Sequence, residues 1–237
     1  MQYFHLTDHM PYHIAGNILQ LAHKHASELS SHVISTDSPL FKLAQAEVYE
    51  LLGDALRSIS SPESILINGV YHPASAGVII AIDETKGDGT FGGFLQYKPR
   101  LPRCDSASIG YAAVSAAYRG QGVLRSMIQE LLKSYPSLGL DCPLALVPLY
   151  ERLGFKPVGR QGTHVAMVTG PQSGKGWAID QATLEKRPTY MRAKEEIRAQ
   201  LGKQTRDAYA QRDEDDRAAA KEVDQFLASR GIPTPRR

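Results

Sequence analysis

Apolar positions in the first sixty residues recur at helical spacing. Within residues 13–34, Ile14, Ile18, Leu21 and Ala22 fall on one face of a 3.6-residue period, which predicts a helix. Ser38-Pro39 predicts the start of a second helix, with Ser38 as N-cap and Pro39 at the first helical position. That helix should run to about Arg57 and bury Leu43, Val48, Leu51, Leu52 and Leu56. After Pro62 the period shortens. Residues 64–71 (SILINGVY) and 75–83 (SAGVIIAID) read as strands joined by a short turn near His72-Pro73. Residues 91–99 (FGGFLQYKP) form a third strand candidate, reached through the turn KGDGT at 86–90, and residues 107–115 (ASIGYAAVS) a fourth. A helix from Gly122 to about Tyr135 should bury Leu124, Met127, Ile128, Leu131 and Leu132. LALV at 144–147 reads as a short strand leading into PLYERLGF, and residues 156–159 and 164–168 as two last strands. Hairpin-linked strands come first and helix crossovers follow, which predicts a mixed, mostly antiparallel α/β sheet.

Composition narrows the class. Of 237 residues, 42% are hydrophobic and 22% charged, so the chain can build a core and is neither wholly disordered nor collagen-like. No apolar run approaches the ~18 residues of a membrane helix, and the N-terminal MQYFHLTDHM lacks the basic and apolar regions of a signal peptide. The two cysteines, Cys104 and Cys142, are too few for a disulfide scaffold or a cysteine-built zinc site. The expectation is a cytoplasmic, reduced protein with no membrane contact. A net charge of +2 does not call for a nucleic-acid partner.

Charge shifts near residue 170, from a net −1 over 1–170 to +3 over 171–237. The junction GPQSGKG is rich in turn-forming residues. The expected organisation is a domain over 1–169, a linker at 170–176 and a polar helical tail over 177–237. In the tail, Leu184, Met191, Ile197 and Leu201 form a partial apolar stripe, and 202–221 is almost all polar or alanine. A solvated helix is one reading. Self-association or docking to a protein partner, anchored by Leu184, Met191, Ile197, Phe226 and Leu227, is the other. The mixed run RDEDDR at 212–217 argues against a nucleic-acid surface.

Chemistry concentrates in IGYAAVSAAYRGQGVLRSMIQELL at 109–132. An apolar strand ends at Val114, and the loop Arg119-Gly120-Gln121-Gly122 turns into a helix. The first N–H groups of a helix have no internal partner, and the helix dipole adds positive charge there. Glycines let phosphate oxygens approach such amides, and Arg119 adds a full charge. A phosphate or pyrophosphate is the expected ligand group, against the alternative of an ordinary strand-to-helix turn. The spacing is neither G-x-G-x-x-G nor G-x-x-x-x-G-K-[ST], which excludes the dinucleotide fingerprint and the P-loop.

The same stretch resembles the acyl-CoA-binding motif of the GNAT (GCN5-related) N-acetyltransferase family, Q/R-x-x-G-x-G/A after a strand and opening a helix. Here it reads R-G-Q-G-V-L: Arg119 and Gly122 match, and Leu124 departs from the final Gly/Ala. PLYERLGF, from Pro148 to Phe155, resembles the family's second signature, a tyrosine four residues before a Gly-Phe pair. The resemblance covers about residues 1–168 as an architecture, with its specific residues between 110 and 155. It implies a GNAT-type sheet and direct transfer of an acetyl group from acetyl-CoA to an amine, with no metal. Arg119, Gly120, Gln121, Gly122, Val123 and Leu124 would hold the pyrophosphate. A backbone N–H at Ala113, Val114 or Ser115 would polarise the thioester oxygen. Tyr150 would protonate the departing thiolate.

A base for the amine is less evident. The strand at 107–115 carries no acid. Asp83, Glu84, Asp105, His72, His164 and Tyr111 are the candidates, and a water chain serves equally. His5, His9 and His13 are spaced by four around Asp8, but Pro11 interrupts a helical metal pair, and lining of an acceptor cleft fits them better. Cys142 precedes a proline and reads as structural. The missing strand acid and Leu124 keep a second class open: a GNAT-like fold without activity, serving as a binding or structural subunit.

Overall fold

The computed structural model describes residues 1–85 and 89–233. In chain order its elements are β1 (Gln2–Leu6), α1 (Tyr12–Lys24), α2 (Ala26–Leu29), α3 (Phe41–Ser60), β2 (Glu63–Ile67), β3 (Val70–Ala74), β4 (Gly77–Asp83), β5 (Thr90–Pro99) and β6 (Ser106–Val114). There follow α4 (Val123–Ser134), β7 (Ser137–Cys142), α5 (Val147–Glu151), β8 (Lys156–Gln161), β9 (His164–Val168), α6 (Gln181–Leu184), α7 (Pro188–Leu201) and α8 (Thr205–Ser229). They divide into two compact units. The first comprises residues 1–24, 52–140 and 168–178, and the second 25–51, 141–167 and 179–237.

In the first unit the strand order is β1-β4-β5-β6-β7. The pairs from β1 to β6 are antiparallel, and β6 pairs parallel with β7. This is the mixed, mostly antiparallel arrangement the pattern predicts. Val78, Ile79, Ile80 and Ala81 of β4 are all buried, as a continuous apolar run requires when both sheet faces are covered. α4 packs on β4, β5 and β6 through Met127, Ile128 and Leu131, and α1 contributes Ile18 and Ala22. α3 begins at Phe41 rather than Pro39, after a turn in which the Phe41 amide donates to the Ser38 carbonyl at 3.0 Å.

Three local expectations are corrected. The turn near His72-Pro73 is instead at Asn68-Gly69, where φ is 51° and 82°. Asn-Gly tolerates left-handed backbone at both positions, so it closes a tight hairpin. β2 and β3 pair with each other as a separate two-stranded sheet, Leu66 opposite Tyr71, over a small apolar cluster of Ile67, Ala74 and Leu101 with Trp177. The second correction is the strand after α4. It is β7, and residues 144–146 of LALV form a 3-10 turn leading into α5. Pro143, lacking an N–H, follows the end of β7 and precedes that turn. The third is the stretch 170–176, which is pinned rather than loose. Lys175 and Leu101 exchange backbone hydrogen bonds at 2.7 and 3.0 Å, and Arg100 donates to the Ser173 and Gly174 carbonyls at 3.0 Å each. The turn expected at 86–90 lies outside the described residues over 86–88.

The second unit holds α2, the first half of α3, α5, β8, most of β9, α6, α7 and α8. Its carboxylates tie segments distant in sequence. Buried Glu47 accepts from the Ser30 hydroxyl at 2.8 Å and the Ser31 amide at 2.9 Å. Glu50 accepts from the Thr189 amide at 3.1 Å, and Arg160 pairs with Asp224 at 2.7 Å. α8 packs on β8, and Leu184, Tyr190, Ile197, Val223 and Leu227 are buried. The tail helices are therefore integral to a core, not a solvated appendage. Met191 alone of the expected anchors is about half exposed, at 48%. Leu227→Ala should cost about 2–5 kcal/mol, the range for emptying a fully buried leucine site, read as a lower denaturant midpoint.

Asp216 of α8 accepts from the Val33 amide at 2.8 Å and pairs with His32 Nδ1 at 2.6 Å. That hydrogen bond raises the His32 pKa above its ordinary 6.5, against burial, which lowers it. A raised folded pKa gives stability that is complete below the ordinary value and lost as pH rises through the folded one. On the acid side burial opposes the Asp216 charge, but the bonds from His32 and Val33 outweigh it and hold its pKa below 3.8. The pair therefore stabilises from about pH 4 to 6.5 and weakens above. Melting temperature should fall as pH rises above about 6.5, and His32→Asn should flatten that change.

Candidate active site

Gly110 shapes the first unit's sheet. The β5–β6 register passes from Tyr97↔Ile109 to Gln96↔Tyr111, so Gly110 is an extra residue in β6. It is a β-bulge, which bends its strand and sharpens its twist. A Cβ there would collide with the Gln96 side-chain oxygen. The parallel ladder to β7 covers only Ser106, Ala107 and Ser108, whereas β6 continues to Val114. Beyond the bulge, β6 has left its neighbour, and Gly110 is exposed in the middle of the sheet. Gly93 lets β5 stay close to that departing end: a Cβ there would lie 2.6 Å from the Ala113 carbonyl oxygen.

The amides expected to polarise the thioester lie at the strand end. Ser115 spends its own on the Gly92 carbonyl, at 2.9 Å. Successive amides of a strand point to opposite sides, so the Val114 amide points away from β5, to the side where the ladder has stopped. Ala113 shares the Ser115 side. A 3-10 turn at Ala116–Tyr118 follows, and Tyr118, only 4% exposed, donates its hydroxyl to Asp83 at 2.9 Å. Asp83 also accepts from the Thr85 amide and hydroxyl. It is thus an anchor for the segment leading into the loop, which makes it a poor candidate base.

The loop itself is pre-shaped. Gly120 and Gly122 have φ of +75° and +81°, and nothing lies within 4 Å of a Cβ built on either. Both need glycine for the backbone, and both face open space. Arg119 donates Nε to the Val114 carbonyl at 3.1 Å, and Gln121 donates to the Ala117 carbonyl at 2.8 Å. These two side chains brace the loop. Gly122 is the N-cap of the twelve-residue α4 and supplies no side-chain cap. The amides of Val123 and Leu124 precede the first helical bond, from the Ser126 amide to the Gly122 carbonyl. Val123 is buried and Leu124 half-buried. An uncapped helix end, two left-handed glycines and open space above them fit a pyrophosphate.

Ala113, Val114, Ser115 and Arg119 to Leu124 are thus brought together at one end of the first unit. Tyr150 lies in the second unit, on α5, its ring 5.7 Å from that of Phe155 in an edge-on contact. The Phe155 amide donates to the Tyr150 carbonyl at 3.1 Å, which explains why the tyrosine and the Gly-Phe pair occur together. Burial pushes the Tyr150 hydroxyl above its ordinary 10.0. Burial also pushes the Cys142 thiol up to about 12, which keeps it protonated and structural.

Three of the other candidate bases have local partners. Glu84 accepts from Gln2 at 2.5 Å, Asp105 from Ser173, and His164 pairs with Asp141 at 2.9 Å. His5 is on β1, His13 on α1 and His9 in neither, so the spacing by four makes no helical pair. The reading of the sequence missed Gln96, 1% exposed, whose two amide atoms lack a hydrogen-bond partner directly under the bulge. A lone glycine inside an apolar strand was the available signal for that bulge. Among the described residues no helix is long and apolar enough to cross a membrane.

A search of curated proteins finds no significant match. Among solved structures, an Escherichia coli GNAT family N-acetyltransferase (YhbS) in complex with CoA is 19% identical, with 78% of this chain and 84% of that one covered and a TM-score of 0.44. An N-acetyltransferase from Lactobacillus plantarum is 13% identical over 70% of this chain and 95% of that one, TM-score 0.44. An aminoglycoside 6'-N-acetyltransferase complexed with coenzyme A is 13% identical over 73% and 99%, TM-score 0.46. The model of the acetyltransferase (GNAT) family matches residues 46–155, a span that holds the bulged strand, the loop and Tyr150. Over residues 46–155 the chain is thus similar to the acetyltransferase (GNAT) family.

Proposed function

We propose that this protein is a cytoplasmic N-acetyltransferase that moves an acetyl group from acetyl-CoA to a primary amine by direct transfer. The observation that carries the reading is the braced Arg119–Gly122 loop running into the uncapped N-terminus of α4. In this reading the Gly120 and Gly122 backbone and the Val123 and Leu124 amides hold the pyrophosphate, and Arg119 adds charge beside it. Val114 directs its amide at the thioester oxygen, where negative charge develops as the amine attacks. The amine nitrogen bonds to the thioester carbon, the C–S bond breaks with its electron pair on sulfur, and the surplus amine proton passes to water.

Tyr150 is the proposed acid, by its match to the family signature. Its raised pKa keeps the hydroxyl protonated at neutral pH, the state a general acid requires. The inactive alternative is favoured by Leu124 and by the absence of an acid from β6. Thiol release from acetyl-CoA, followed against a panel of small amines, lysine peptides and N-terminal peptides, separates the two. Amine-dependent release supports the enzyme. CoA binding with no release for any acceptor supports a binding or structural subunit.

A further inference from the structure

We infer that the second unit carries a site for a small organic anion, a carboxylate or phosphate ester, in the cavity at α6, α7 and the start of α8. The cavity measures about 500 Å³, within the ~300–1,000 Å³ usual for small-molecule sites. Tyr190 and Tyr209 form its apolar walls, and His32, Lys194, Arg212 and Glu185 its polar lining. The Tyr209 hydroxyl is shielded from solvent and lacks a hydrogen-bond partner. A buried donor left unpaired is unfavourable, so a ligand oxygen there is favoured.

The charges around that hydroxyl are unequally committed. Arg212 lies 5.0 Å from the Tyr209 ring centre and directs both Nε and Nη2 at one oxygen of Asp213, at 3.1 and 2.6 Å. Nη1 is not part of that pair. Lys194 stands 5.9 Å from the Tyr190 ring and 3.9 Å from Glu185, beyond hydrogen-bond reach, so its ammonium keeps donors for a ligand. Glu185, the one lining carboxylate, is 48% exposed and already accepts from Gln181. Asp216 is occupied by His32 and Val33. The lining therefore offers two cations and a phenol against one carboxylate, Glu185, which Gln181 already engages. Phosphate or carboxylate oxygens meet those donors, and the rest of the ligand rests on the tyrosine faces.

The test is titration of the full chain with benzoate, phenyl phosphate, benzyl alcohol and benzylamine, followed by calorimetry. At least one anion should bind saturably, about tenfold or more tighter than the alcohol or the amine. Preference between the two anions identifies carboxylate or phosphate as the natural group. Lys194→Gln and Tyr209→Phe, checked for unchanged melting behaviour, should each weaken the anion about 5- to 20-fold. Gly122→Val should not affect it. No saturable anion binding, equal binding of benzylamine, indifference to both cavity substitutions, or loss with Gly122→Val each overturns the assignment. None of these outcomes bears on acetyl transfer at the loop.

Discussion

Gly122→Val should abolish measurable CoA binding, with at least a ~100-fold loss of affinity, while the protein remains folded. Gly122 has φ +81° as the N-cap of α4, where a β-branched residue is a backbone outlier. The strain costs about 1–2 kcal/mol, too little to unfold a protein of ordinary stability. No protein atom lies within 4 Å of the added Cβ, so the core is not overpacked. What the valine does occupy is the open space above the loop, and its strain re-aims the Val123 and Leu124 amides. Ligand binding therefore suffers far more than folding. Calorimetric titration with CoA, alongside a thermal melt, reads both effects. Unchanged CoA affinity in the variant would place the pyrophosphate site elsewhere.

Tyr150→Phe should lower turnover about 100- to 10,000-fold, the usual effect of removing a general acid, and leave acetyl-CoA affinity within about twofold. The ring that contacts Phe155 is retained, so the substitution removes only the hydroxyl. The pH dependence carries a second signature. The hydroxyl titrates above 10.0, so its ionisation produces no alkaline fall in activity below about pH 10. Wild-type turnover in the phenylalanine variant would show that water supplies the proton.

Helical periodicity and β-alternation disclosed most elements because burial imposes them. β4 is apolar throughout since both its faces are covered, and α4 shows Met127, Ile128 and Leu131 on one stripe. The loop was legible because glycine is favoured where φ is positive, as at Gly120 and Gly122. The misread elements were set by other forces. Asn68-Gly69 fixes a hairpin through turn chemistry rather than periodicity. β7 is interrupted by Gly139, which makes room for Gln172, 33 residues further along: a Cβ there would lie 3.1 Å from its side-chain oxygen. Long-range contacts of that kind leave no local trace. The tail looked solvated because its apolar residues are few, yet Val223 and Leu227 are 1% and 0% exposed. Sparse anchors suffice when carboxylates such as Asp216 and Asp224 fasten the same helix. Gly110 alone hinted at the bulge, but Gln96 beneath it follows only from the pairing between the strands.

The central claim is that acyl-CoA is held at the end of β6 and the start of α4. Backbone amide NMR of the full chain, with and without saturating CoA, tests it most directly. The account predicts that the largest shift changes fall on Gly120, Gly122, Val123 and Leu124, with a further change at Val114. Changes concentrated on other segments, with these five amides unmoved at saturation, would contradict it.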